Sequence, residues 1–224
     1  RVDIGSTMGL TQDEIAEAKL AAIRKLIQDE LPDCKDGVTG TGGVLQAAYN
    51  DAISGGWPTT DPDSENPEHD ESAVCLYLIV SMLADDDLDR INFFSEQDVG
   101  DLDKDGTPDV FVDAWGEPIG FIRWPAGFVD DASNPSLGHL SDLQQDDPTG
   151  SPDPFDPTGV ESGTYAIFPL IYSKGPDKRS GMDPADPPAA PPQPYAPMAG
   201  QPITGTQSYH HDNIHNHHLG GSLR

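Results

Sequence analysis

The chain has 224 residues, of which 39 are acidic and 12 basic, for a formal charge of −27. So negative a surface repels phosphate and anionic membranes, because nucleic-acid binding rests on Lys and Arg neutralising the backbone; no nucleic-acid partner is expected. Proline and glycine, 22 and 23 residues, speak against a helical bundle and for short elements around one core with long irregular, acidic, Pro-rich loops; with the helix and strands read below, the expectation is an α+β fold.

No stretch reaches the roughly 20 apolar residues that a bilayer crossing needs. Arg1 to Leu10 lack the apolar core of a secretory signal, so the expectation is either a chain free in solution or a head whose membrane helix lies outside this sequence. Thr11-Gln12-Asp13-Glu14 is a capping box. It predicts a helix over 11–31, with Ile15, Ala18, Ala22, Ile23, Leu26 and Ile27 as its apolar stripe and Lys19, Arg24 and Lys25 complementing the dipole, stopped by Pro32. Gly37 to Gly43 lacks the Lys-Ser or Lys-Thr of a phosphate loop and reads as a flexible turn. Leu45 to Ile53 suggests a short helix, and Gly55 to Ser72 an acidic surface loop.

Ser72 to Leu83 is a continuous apolar run, helix or strand by periodicity and helix by its Ala, Leu and Met content. Asp85-Asp86-Asp87 follows as a charged helix end or turn. Phe111, Trp115, Ile119, Phe121, Ile122, Trp124 and Phe128, broken by Gly116-Glu117-Pro118, predict a hairpin over 110–128. Asp130 to Glu161 is another acidic excursion. Tyr165 to Tyr172 predicts a third strand, and its Pro169 an edge or a bulge. Asp183 to Pro202 is too rich in proline for regular structure. The organisation expected is a single domain over 1–224: helix 11–31, core 73–128, strand and C-terminal loop at 165–177 and 203–218, and a Pro-rich loop at 183–202.

Asp101-Leu-Asp103-Lys-Asp105-Gly106-Thr107-Pro-Asp109 places carboxylates at alternate positions before a glycine. That spacing wraps oxygen ligands around a hard cation, calcium first among them, with the Thr107 carbonyl and Asp109 as further ligands. The pattern departs from a complete EF-hand loop, since Val112 stands at its closing position and the next carboxylate, Asp113, comes one residue late. A merely solvated acidic turn is the alternative to calcium. The histidines from His210 to His218 offer imidazoles for zinc, yet structural zinc sites usually gather ligands from separate segments and include cysteine. Cys34 and Cys75 suffice for one bridge, though Cys75 in its apolar run reads equally well as a buried, inert thiol. No nucleophile with its base and no distinctive carboxylate pair stands out, so a non-enzymatic role is expected.

Several strings resemble one family. Glu30 to Asp33, Cys75 to Ile79, Phe94 to Asp101, Asp113-Ala-Trp-Gly-Glu-Pro-Ile119, Arg123 to Phe128, Asp153 to Pro157, Pro169-Leu-Ile-Tyr-Ser-Lys-Gly-Pro-Asp177 and Asp212-Asn-Ile-His-Asn-His217 resemble the pilin-like proteins of type II secretion and type IV pilus systems. The likeness is to large, planctomycete-type versions of the major pseudopilin head. It implies a head carrying an antiparallel sheet, with the N-terminal helix packed on it. The apolar first half of that helix, outside these residues, would anchor in the inner membrane and later pack in a filament. It also implies a calcium ion where the 172–177 and 212–214 segments meet, making Asp177 and Asp212 secondary ligand candidates, helped by carbonyls near Ser173. The function implied is a calcium-stabilised structural subunit of a secretion pseudopilus or pilus-like filament. Its location would be the periplasm or cell surface, and its partners other pilin-like subunits and the secretion machinery. A secreted calcium-dependent binding or adhesion module, using Trp57, Trp115 or Trp124, is the alternative. Cargo, major or minor standing, and the pairing of Cys34 with Cys75 stay open.

Overall fold

The computed structural model describes residues 9–39, 46–53, 56–58, 67–84, 94–128, 152–161, 164–183, 199–201, 203 and 213–216. Helix α1 runs over Gln12–Glu30. Its capping box closes as the sequence predicts: Glu14 N–H donates to Thr11 Oγ1 (3.3 Å) and Thr11 N–H to Glu14 Oε2 (2.7 Å). The Thr11 donors hold the Glu14 carboxyl below its ordinary value.

The other end of α1 departs from expectation. Its last turn holds no basic residue. Arg24 instead turns inward, is buried, and pairs with Asp153 (2.9 Å) and Glu161 (2.5 Å). The cation at the helix end comes from another part of the chain: Arg123 Nη1 donates to the carbonyls of Leu31 (2.5 Å) and Gln28 (3.4 Å), while Nη2 pairs with Asp33 at 3.0 Å. Carbonyls left without partners at a helix C-terminus carry partial negative charge, and a guanidinium satisfies several at once.

Two short helices follow, α2 (Lys35–Thr39) and α3 (Gln46–Ala52). Tyr49 of α3 is fully buried and donates its hydroxyl to Glu30 O at 2.8 Å. Helix α4 spans Pro67–Ala84, beginning ahead of the apolar run in a segment expected to be loop. Proline suits a first helical position, where its missing N–H has no partner to lose.

The strands are β1 (Val99–Gly100), β2 (Val110–Phe111), β3 (Gly120–Ile122), β4 (Leu170–Ser173) and β5 (Ile214–His215). Among the described residues they form two antiparallel sheets, β1-β2 and β3-β4-β5. The predicted 110–128 hairpin is thus divided. Its first arm pairs back with β1, a bridge joins Val112 to Pro118, and its second arm pairs with β4. Strand β4 is central rather than an edge. Pro169 stands just ahead of it, so the proline costs the sheet no ladder hydrogen bond, and its carbonyl accepts from Asn216 Nδ2 at 3.0 Å.

Helix α4, not α1, makes the main helix-to-sheet packing, lying against β2 and β3. The reason is burial. Ala73, Val74, Cys75, Leu76, Leu78 and Ile79 of α4 are all buried and share one core with Val38, Tyr49, Val110, Phe111 and Phe121, whereas α1 buries only Leu20 and Arg24. A second apolar cluster holds Ile122, Phe128, Leu170, Tyr172, Met182 and Ala199. Between them the Tyr172 ring crosses over Gly120, its cross-strand partner, where an added Cβ would fall 2.5 Å from the ring. The fold is α+β: helices with small antiparallel sheets. The loop at 85–87 and most of 183–202 lie outside the described residues.

Candidate functional site

The acidic loop 101–109 joins β1 to β2 and is closed at its base by the Asp109 N–H donating to Gly100 O at 2.9 Å. It curls through positive φ at Lys104 (60°) and Gly106 (99°), the latter a conformation that glycine adopts without strain. Its carboxylates organise the backbone. Asp101 accepts from the N–H groups of Asp105 (3.2 Å) and Gly106 (2.7 Å), Asp103 from Asp105 (3.2 Å), Asp105 from Thr107 (2.7 Å) and Asp109 from Leu102 (2.9 Å).

Of the residues that the sequence proposed as ligands, the fold brings together Asp101, Asp103 and Asp109, each with a carboxylate oxygen within 4.8 Å of the others. Asp109 Oδ2 is buried and has no hydrogen-bond partner. Burial first, then the neighbouring charges of Asp103, Asp101 and Asp105, push the Asp109 carboxyl up to about 6. Three oxygens so disposed are donors of the kind that calcium takes.

The remaining predicted ligands fall outside this trio. Asp105 and Thr107 are joined to each other by the hydrogen bond within the loop. Asp113 heads the turn after β2: its Oδ1 accepts from the N–H groups of Trp115 and Glu117, both at 2.9 Å, and its Oδ2 from the Ser173 hydroxyl at 2.6 Å. The 113–118 and 172–177 segments meet here through the Ser173 hydroxyl, a contact not among the expectations, while the expected neighbour of 172–177, the C-terminal segment, pairs with it at Ser173 and Ile214. Lys178 fastens the same junction, donating to Glu117 Oε1 (2.8 Å) and Trp115 O (3.4 Å). Asp177 Oδ1 accepts from Arg179 N–H at 2.9 Å. Asp212 and the histidines other than His215 in the C-terminal cluster lie outside the described residues; His215 is buried on β5, edge-on to Phe128.

Sequence reasoning missed a buried polar cluster beneath β4. His69 of α4 contacts the Tyr172 hydroxyl through Nδ1 and the Ser180 hydroxyl through Nε2, the latter at 2.6 Å. Neighbouring Asp70 pairs with Lys174 at 3.8 Å. A neutral imidazole offers one donor and one acceptor, which two hydroxyls can match. Burial, then the charge of Lys174, lowers His69 to about 3, keeping it neutral. With His69 2% and Tyr172 1% exposed, the cluster reaches no dissolved substrate and serves the packing. Only the placement of a polar His-Asp pair at the start of an apolar helix hinted at it.

No family model, curated protein or solved structure matches this chain. Among the described residues no helix is long and apolar enough to cross a membrane.

Proposed function

We propose that this chain is the head of a pilin-like structural subunit, of the kind that builds a type II secretion pseudopilus or a related filament, and that the 101–109 loop binds calcium to hold the head rigid. The observation that carries the reading is the incomplete covering of α1. Leu20, Arg24 and the Arg123 contacts fix it to the head, while the rest of its apolar stripe is incompletely covered: Ile15, Ala18, Ala22, Ile23 and Ile27 are half-buried and Leu26 is 43% exposed. A helix held by a few buried contacts, with much of its apolar stripe incompletely covered, suits assembly with neighbouring helices. The proposal places the subunit in the periplasm or at the cell surface, anchored in the inner membrane through a helix preceding α1, with other pilin-like subunits and the secretion machinery as partners. Its role is structural, without catalysis. Calcium acts by mass action on the folded state, neutralising Asp101, Asp103 and Asp109.

The test uses the intact gene product. Filaments sheared from cells should contain the chain, and deleting the helix ahead of α1 should release it as a free monomer; an intact product that fractionates only as a monomer overturns the filament reading. Thermal unfolding in chelator, then in millimolar calcium or magnesium, tests the ion separately. A calcium-specific rise that is lost in Asp103→Ala with Asp109→Asn supports the loop site. A second reading, a secreted calcium-dependent binding module, draws on Trp115, which is 38% exposed at the tip of its turn. Quenching of tryptophan fluorescence by a soluble glycan, lost in Trp115→Ala, would favour it.

A further inference from the structure

Cys34 and Cys75 are far apart in sequence, yet the fold brings their neighbourhoods together. Cys34 immediately precedes α2, with its carbonyl accepting from Gly37 N–H (3.1 Å) and Val38 N–H (3.3 Å). The next residue, Lys35, donates its N–H to Glu71 Oε2 at 3.2 Å. Glu71 lies four residues before Cys75, one turn of α4, on the same helix face. Val38 and Cys75 are both fully buried in one apolar cluster. Around this point Asp33 is held by Arg123, so the segment carrying Cys34 is fixed against the core. Burial raises both thiols, and among the charged neighbours that raise Cys75 the foremost is Cys34, followed by Asp33 and Glu71. Cys34 is half-buried and Cys75 buried, which gives an oxidant one way in.

We propose that Cys34 and Cys75 are an oxidisable pair that closes into a disulfide joining the start of α2 to the middle of α4 when the chain meets a small disulfide oxidant. The Cys34 thiolate attacks the oxidant's disulfide, forming a mixed disulfide and expelling one thiolate; the Cys75 thiolate then attacks Cys34 Sγ and expels the second. Two protein thiols lose two electrons and two protons, and the oxidant becomes two thiols. Because both thiols are raised, closure is slow near neutrality and quickens as pH rises. The bond constrains the unfolded chain across the residues between the two cysteines and so strengthens the fold. This inference stands independently of the filament reading.

The experiment treats the folded, fully reduced chain with oxidised glutathione at about pH 8.5, where more thiolate is present. Expected is an intact mass lower by two hydrogens, no retained glutathione, no titratable thiol after denaturation, and one peptide linkage between positions 34 and 75. The thermal midpoint should rise by roughly 10 °C and fall back on reduction. Cys34→Ser, at the half-buried position, should show neither the mass loss nor the rise. A persistent glutathione adduct on Cys34 beside a free Cys75, a disulfide-linked dimer, or two unreacted thiols would each overturn the proposal, as would an internal bond that lowers the midpoint.

Discussion

Two parts of this protein handle buried or crowded charge in opposite ways. Around the sheets, polar groups bring their own partners: Asp33 meets Arg123, His69 lies between two hydroxyls, and Asp113 accepts from two N–H groups and the Ser173 hydroxyl. In the loop from Asp101 to Asp109 the carboxylates also accept backbone N–H groups, yet Asp101, Asp103 and Asp109 bring oxygens within 4.8 Å of one another and Asp109 Oδ2 is buried without a donor. The difference teaches where an added cation would matter. A carboxylate with donors around it and no like charge beside it gains little from a metal, whereas mutually repelling ones, one of them with an unmatched oxygen, gain from it directly.

The largest effect expected is at Arg123. Replacing it by Met leaves Asp33 as a buried charge without its guanidinium and frees the carbonyls at the end of α1; the loss expected is about 3–5 kcal/mol by urea denaturation, with or without calcium. Rescue of the variant by calcium would erase the distinction between the two regions.

His69 sharpens the comparison through pH. Its value in the folded chain is lowered from 6.5 to about 3, so the unfolded chain binds the proton first. The stabilisation is complete above about 6.5 and is lost as pH falls toward 3. Between about pH 6.5 and about pH 5 the loss should be on the order of 2 kcal/mol. His69→Gln should start less stable yet show a shallower slope over the same range. An unchanged slope in that variant places the titration elsewhere.

The smallest effects are the most direct, because they pair one residue from each region. Asp113→Ala leaves three donors without an acceptor and should cost about 2 kcal/mol at neutral pH, in chelator and in calcium alike. Asp109→Asn should act in the opposite direction. The Asp109 carboxyl is raised from 3.8 to about 6, so its contribution is present below 3.8 and lost as pH rises through 6. In chelator at pH 7 the Asn variant should therefore be more stable than the natural chain by roughly 1 kcal/mol, a figure reduced for partial solvent screening. It should also lose any calcium-dependent rise. Equal and same-signed effects at the two positions would break the comparison.

Local chemistry was legible wherever it depends on neighbours in sequence. Thr11 and Glu14 close their capping box three residues apart, the alternating carboxylates of 101–109 are held on one turn, and the α+β mixture follows from composition and patterning. The helix over 67–84 was readable in its apolar part only; its acidic first turn looked like the loop before it, since burial of His69 and Asp70 depends on residues more than a hundred positions away.

What the sequence determined by itself, then, was set by short-range forces: caps, turns and the spacing of acids along one loop. What only the tertiary structure decided was partnership over distance. It chose α4 over α1 to cover the sheets because α4 buries more apolar side chains there, and it divided one predicted hairpin between two sheets. It also joined Asp113 to the Ser173 hydroxyl, 60 positions further along the chain, because a partly buried carboxylate takes the donors that the fold brings to it.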